Sequence, residues 1–162
     1  MATIHFMHGF IGFGKTTIAK KLAKELPAVH LSNDEFRVRL YGRHIAPELF
    51  QIYYDRIDTL LWGLAEQIIK TGTDVIMDYG SWRKDKRAQD FARAKTFADN
   101  VIFHSILCDL ATAKARTLKR TKNKNETFID EKIFEELLLR FEPIEESEGY
   151  QIITHDNTLN KK

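Results

Sequence analysis

Cysteine is almost missing from this chain. Cys108 stands alone among 162 residues, so no internal disulfide can form, in keeping with a reducing compartment. A solitary thiol at the end of an apolar run reads as a small buried hydrophobe. Charge of one sign is scarce as well: 25 Lys and Arg stand against 23 Asp and Glu, a net charge of +2 at pH 7. Such a balance gives no general attraction for nucleic acid or an anionic membrane. No apolar run approaches the roughly 18 residues of a membrane span, and no basic leader precedes the first apolar stretch. A cytoplasmic protein without membrane contact is therefore expected. Repeats, linkers and low-complexity segments are also missing. What is there, 43% hydrophobic and 30% charged residues, is the composition of an ordinary folded chain, expected to form one domain over 1–162.

Strand-like and helix-like segments alternate from end to end. "TIHFMH" (3–8) is a short apolar run ending in glycine, and "KTTIAKKLAKEL" (15–26) has Ile18, Ala19, Leu22, Ala23 and Leu26 at helical spacing before Pro27. "AVHLS" (28–32) reads as a strand, after which Ser32 or Asn33 can cap a helix that stops at Gly42. A long amphipathic helix is expected over 47–72, with Pro47 in its first turn and Gly72 at its end. Strands at 74–78, 100–108 and 150–154 alternate with helices around 84–97, 109–120 and 130–141, and a polar tail closes the chain. This alternation predicts a parallel sheet covered on both faces, a three-layer α/β domain.

"GFIGFGKT" (9–16) fits G-x-x-x-x-G-K-[ST]. A chance match has a frequency of roughly a few in 100,000 per window at average composition, and this one falls between a predicted strand and a predicted helix, where the mechanism needs it. Gly9, Gly12 and Gly14 allow backbone N–H groups, those of Phe13, Lys15, Thr16 and Thr17 among them, to converge on phosphates. Lys15 is expected on the outer phosphates and the Thr16 hydroxyl on Mg²⁺. Phe10 and Phe13 are unusual in such a loop, and their side chains must point away from the phosphates.

The remainder of the chain decides where the phosphate goes. The third strand ends in Asp78-Tyr79-Gly80, with no Asp-Glu pair of the kind that activates water in additional-strand ATPases. "NKNE" (123–126) misses the guanine motif N-K-x-D at its last position and follows a helix, so ATP is the expected nucleotide. Asp34, after the second strand, would lie at the carboxyl edge of the sheet, where a carboxylate can accept the proton of an attacking hydroxyl. A simple helix cap is the competing role for Asp34, and Glu35 is the rival base. Arg37, at i+3, would face the same side and hold an anionic or polar acceptor. Asp78 is the candidate for the Mg²⁺ shell. Arg83 and Arg87 lie on the proposed acceptor side, with solvated surface charge as the alternative. In the basic run 114–124, Arg116 and Arg120 share one helix face and are expected to stabilise the migrating phosphoryl group.

With these motifs in order, the chain resembles the small P-loop kinases grouped with polynucleotide kinase, zeta toxin and chloramphenicol phosphotransferase. It looks more closely like bacterial predicted kinases of the "AAA family ATPase" type. The resemblance runs through "GFIGFGKTTIAKKLA", "LSNDEFRVRLYG", "TDVIMDYGSWRKDKR", "ARTLKR" and "RFEPIEESEG". It implies a P-loop NTPase fold with a five-stranded parallel sheet in the order 2-3-1-4-5 and a small helical lid near 114–130. By the same matching, Asp34 falls where these kinases keep their base, Arg37 where they hold the acceptor, and Arg116 and Arg120 on the lid. No second-region arginine finger or helical lid domain of a ring ATPase is present, and the charge-rich "SWRKDKR" departs from the usual pattern. The leading expectation is an ATP- and Mg²⁺-dependent kinase for the hydroxyl of a small molecule. A polynucleotide 5′-hydroxyl kinase, prompted by the two basic clusters, would bind in a strongly salt-dependent way. A nucleotide-dependent binding module with little turnover is the third reading.

Overall fold

A computed structural model describes residues 1–124 and 126–158. The end of the polar tail (159–162) and one residue of the lid segment and of "NKNE", Asn125, lie outside the described residues. The chain runs β1 (Thr3–His8), α1 (Lys15–Glu25), β2 (Ala28–Ser32), α2 (Asn33–Tyr41), α3 (Pro47–Lys70), β3 (Asp74–Gly80), α4 (Lys84–Ala94), β4 (Asn100–Leu107), α5 (Leu110–Arg120), α6 (Glu131–Leu138), a short 3-10 turn at Glu146–Glu148, and β5 (Gln151–Asp156). All pairings are parallel and the strand order is β2-β3-β1-β4-β5, as the family resemblance implies. The chain passes β3 on its way from β1 to β2 and passes β1 on its way from β3 to β4, so the carboxyl ends of β1 and β3 sit together at the middle of the sheet. That crevice is where open α/β sheets hold ligands.

Two apolar clusters sandwich the sheet. Ile4, Phe6, Leu31, Val75, Met77 and Phe103 pack against Ile57, Leu61, Trp62 and Ala65 of α3. On the other face Met7, Ile76 and Ile106 meet Ala19 of α1, Ala113 of α5 and Phe134 of α6. The central strands are almost continuously buried, which explains their unbroken apolar runs. Edge strand β5 is largely exposed.

Histidines interrupt this core in one row. His5 Nδ1 lies 2.9 Å from His104 Nε2, and His104 Nδ1 lies 2.8 Å from His155 Nε2, linking β1, β4 and β5. Burial lowers the pKa of all three, that of His104 to about 3, so the row is held neutral. β3 runs two residues beyond the expected Asp78 because Gly80 still pairs with His8.

Candidate active site

The loop between β1 and α1 turns through two glycines with positive φ, +79° at Gly12 and +93° at Gly14. Space makes the same demand as the backbone. A Cβ on Gly12 would sit 2.2 Å from the Ala113 carbonyl oxygen of α5, and one on Gly14 would sit 2.1 Å from Nδ2 of Asn157. Gly14 is also the N-cap of α1 and provides no side-chain acceptor, which leaves the first-turn amides to a ligand anion. The two phenylalanines point away from this surface, as expected. Phe10 is fully buried, with ring centroids 5.2 Å from Trp82, 5.1 Å from Phe134 and 5.5 Å from Phe141. Phe13 meets Phe10 and Phe141 edge-on. Burying one such ring contributes about 1.5–3 kcal/mol, so the aromatics anchor the loop to α6 and to Trp82. The indole N–H of Trp82 donates to the Gly9 carbonyl at 3.0 Å. Trp82 thus belongs to the phosphate loop, a role its charged neighbours in "SWRKDKR" concealed.

Lys15 is half-buried and donates from Nζ to the Phe10 carbonyl at 3.0 Å. Burial is the largest influence on its pKa, brought down to about 8; Asp78 and Asp34 oppose that shift, and Arg120 adds to it. These four charged residues therefore share one electrostatic neighbourhood. The Thr16 hydroxyl donates to Asp78 Oδ2 at 2.9 Å, and the same oxygen lies 2.9 Å from His30 Nε2. A hydroxyl and a carboxylate side by side are hard oxygen donors that suit Mg²⁺, which takes one or two protein ligands and keeps waters and phosphate oxygens for the rest. Among the described residues no group of three His, Cys, Asp or Glu side chains forms a self-contained metal cage. His30 was not singled out in the sequence, where it is one alternating position of a short strand.

Asp34 sits in the first turn of α2, but the cap of that helix is Ser32, whose Oγ accepts from the Glu35 amide at 3.3 Å. The capping role that competed for Asp34 is thus already filled, and its side chain is 75% exposed. Arg37 Nη2 donates to Asp34 Oδ1 at 2.8 Å and to the Thr127 hydroxyl at 2.9 Å. Arg37 is 2% exposed, with its guanidinium 4.8 Å from the Phe50 ring centroid. It braces Asp34 from beneath, rather than projecting toward an acceptor. Glu35, the rival base, pairs with Lys20 on α1.

The residues expected on the lid come together with the loop. Arg116 Nη1 approaches the Gly12 carbonyl at 3.4 Å and Cys108 Sγ at 3.4 Å, and Nη2 approaches the Asn157 carbonyl at 3.3 Å. Gly12, Gly14, Thr17, Arg116, Lys119, Arg120 and Asn157 line a pocket of about 360 Å³. Asn157 Nδ2 donates to the Phe13 carbonyl at 2.8 Å. Asn157 lies in the polar tail, where nothing in the sequence marked it. The segment after α5 reaches α2: Arg43 Nη2 donates to the Thr121 carbonyl at 2.5 Å, and Arg37 holds Thr127. Lys114, by contrast, pairs with Glu131 and Glu135 of α6.

Two arginines expected on the acceptor side are occupied elsewhere. Arg83 is exposed and pairs with Asp85. Arg87 is wholly buried, forked onto Glu148 at 2.8 and 2.6 Å, and its Nη1 donates to the carbonyls of Ser81, Trp82 and Glu142. A guanidinium this deep needs a full set of partners, and Arg87 finds them by tying the 142–148 segment to the end of β3. Its place is structural.

Comparison with known proteins agrees with this fold. Residues 4–144 match the model of a family, AAA_33, described as an AAA domain. No curated protein sequence matches the chain. Among solved structures it is similar to a candidate kinase from Chloroflexus aurantiacus J-10-fl (21% identity, TM-score 0.78, covering 99% of this chain and 91% of that one). It is also similar to Kti12 of Chaetomium thermophilum, solved with ADP-AlF3 (16%, TM-score 0.73, 98% and 90%). A chain of the Pnkp1/Rnl/Hen1 RNA repair complex is a third (20%, TM-score 0.71, 86% and 43%). At these identities the likeness establishes the fold.

Proposed function

Because this chain belongs to the AAA_33 family and has a P-loop kinase-like fold, we propose that it is an ATP- and Mg²⁺-dependent kinase that transfers the γ-phosphate to a hydroxyl of a small molecule. The observation that carries this reading is the meeting of the Thr16–Asp78 pair, Lys15 and an exposed carboxylate, Asp34, at one sheet edge. Lys15 and the loop amides bind and orient the triphosphate. Thr16 and Asp78 hold Mg²⁺, which neutralises charge on the phosphate oxygens when bound. Asp34, held by its hydrogen bond from Arg37, accepts the proton of the attacking hydroxyl. Arg116 and Arg120 face the loop from α5 and stabilise charge that spreads over the transferring group. The segment 114–130 serves as the lid, since it spans from the loop to α2 and excludes water when closed.

The test is ADP release from Mg·ATP against hydroxyl acceptors by wild type and Asp34→Asn. Positioned bases contribute about 100- to 10,000-fold, so transfer falls by that order while ATP affinity stays near wild type. Ser32 still caps α2, and the melting temperature falls by the loss of Arg37's charged partner. Wild-type transfer by Asp34→Asn would move the base to another carboxylate. Failure of the wild-type protein to bind Mg·ATP would remove the kinase reading itself.

A further inference from the structure

On the acceptor side, next to Asp34, the cations are already neutralised. Arg37 is paired with Asp34, Arg83 with Asp85, Arg87 with Glu148 and Lys86 with Asp90. What is short of partners there is oxygen on Asn33 and Asp58, together with a single N–H, that of Arg37 Nε. Asn33, 1% exposed, donates from Nδ2 to the Tyr54 carbonyl of α3 at 3.3 Å, and its own Oδ1 is buried with no hydrogen-bond partner. One helical turn along α3 from Tyr54, Asp58 Oδ1 is likewise buried without a partner. The Asp58 Oδ2 atom is 4.0 Å from Lys86 Nζ, and that ammonium is shared with Asp90, which also accepts from the Tyr79 hydroxyl at 2.9 Å. Asp90 is well supplied with donors, and Asp58 is not.

Asp34, next to Asn33, and Asp58, one turn along α3 from Tyr54, flank the same contact between α2 and α3. Burial is the largest reason that the Tyr54 hydroxyl is held well above its ordinary pKa, followed by the fields of Asp58, Asp34, Asp90 and Asp55. Burial likewise raises Asp58, with Lys86 opposing. Two buried acceptors without donors, one on the residue before the proposed base and one on the helix it contacts, together with the unpartnered Arg37 Nε, call for a ligand whose groups both donate and accept.

We infer that the acceptor is a small polyhydroxylated molecule without anionic groups, neutral or carrying an amine. One of its hydroxyls meets Asp34, while further O–H or N–H donors are received by Asp58 Oδ1 and Asn33 Oδ1. The inference rests on the kinase reading for the identity of Asp34, and it disfavours phosphodiester or phosphorylated acceptors. Those would bring negative charge to Asp34, Asp55 and Asp58, where Arg37, Arg83 and Arg87 each already hold a carboxylate.

Glucose, glucosamine, glucose 6-phosphate and a 5′-hydroxyl oligodeoxynucleotide, each at up to millimolar concentration, test this. Calorimetric binding to the nucleotide-free protein and ADP release from Mg·ATP are both read. The expected result is that glucosamine or glucose binds and turns over at least about tenfold better than glucose 6-phosphate or the oligonucleotide. Asp58→Asn then raises the acceptor KM about tenfold with the ATP KM unchanged, and Asp58→Glu restores part of it. A purely structural role for Asp58 would lower the melting temperature and leave the acceptor KM in place. Preference for either anionic probe, or no preference for the other two in binding or turnover, overturns the inference. Those results leave Mg·ATP binding intact, whereas loss of the kinase reading shows as no Mg·ATP binding. The binding comparison without nucleotide decides the acceptor question in either case.

Discussion

Around the phosphate loop, cations lack carboxylate partners: Lys15 donates to a backbone carbonyl, Arg116 reaches carbonyls at 3.3 and 3.4 Å, and Arg120 forms no ion pair among the described residues. Across the same sheet edge, between α2, α3 and α4, the balance is reversed. Arg37, Lys86 and Arg87 are paired, and it is Asp58 and Asn33 that keep buried oxygens without donors. The excess charge on one side suits a polyanion, and the unpartnered Asn33 and Asp58 oxygens with the Arg37 Nε on the other suit an uncharged polar molecule that both donates and accepts. Asp34 stands between them. The contrast teaches that counting arginines along a sequence says little about which of them reach a ligand, because ion pairing is settled in three dimensions.

The largest expected effect comes from breaking the cationic side at its centre. Lys15→Ala abolishes transfer and weakens ATP binding far more than ADP binding, because the ammonium serves the outer phosphates; titration calorimetry with both nucleotides checks this, and equal weakening would misplace the lysine. Next, Arg120→Ala lowers kcat and kcat/KM together by about 100- to 1,000-fold, the cost of one donor to transition-state charge. A rise in the ATP KM alone, in steady-state kinetics, would make Arg120 a ground-state clamp.

The comparison is sharpened by an arginine that belongs to neither ligand. Arg87→Ala strands Glu148 in the core and costs about 3–5 kcal/mol of stability in urea unfolding. If the variant instead melts like wild type and raises only the acceptor KM, Arg87 returns to the acceptor side. The smallest effect is a pH dependence rooted behind the loop. His8 Nδ1 lies 2.9 Å from the Ser81 carbonyl and its Nε2 accepts from the Ile144 amide at 3.0 Å, so the ring is neutral when folded. Burial, opposed by the Ser81 bond, lowers its pKa from 6.5 to about 4. A group depressed in this way contributes stability above pH 6.5 that is lost as pH falls toward 4. Denaturant unfolding should therefore show a loss of about 2 kcal/mol or more between pH 7.5 and 5, with His104 acting in the same direction. A flat profile would mean that His8 titrates normally.

Local chemistry made the fold legible in advance. Apolar runs of strand length, amphipathic runs of helix length, and Pro47 and Gly42 at helix ends specified the elements to within about three residues, because backbone propensity and periodicity act over one or two turns. The phosphate loop was legible for the same reason: glycine torsions, Lys15 and Thr16 act within eight consecutive residues. Tertiary structure alone decided the rest. It brought Asn157 from an unremarkable tail to the Phe13 carbonyl, turned Trp82 inward onto Gly9, set His30 beside Asp78, gave the α2 cap to Ser32 and sank Arg87 onto Glu148. Each of these depends on which groups meet across distances of 48 to 144 residues, or on which of several adjacent polar side chains wins one amide. Burial and pairing energies that decide such contests exist only once the sheet is assembled.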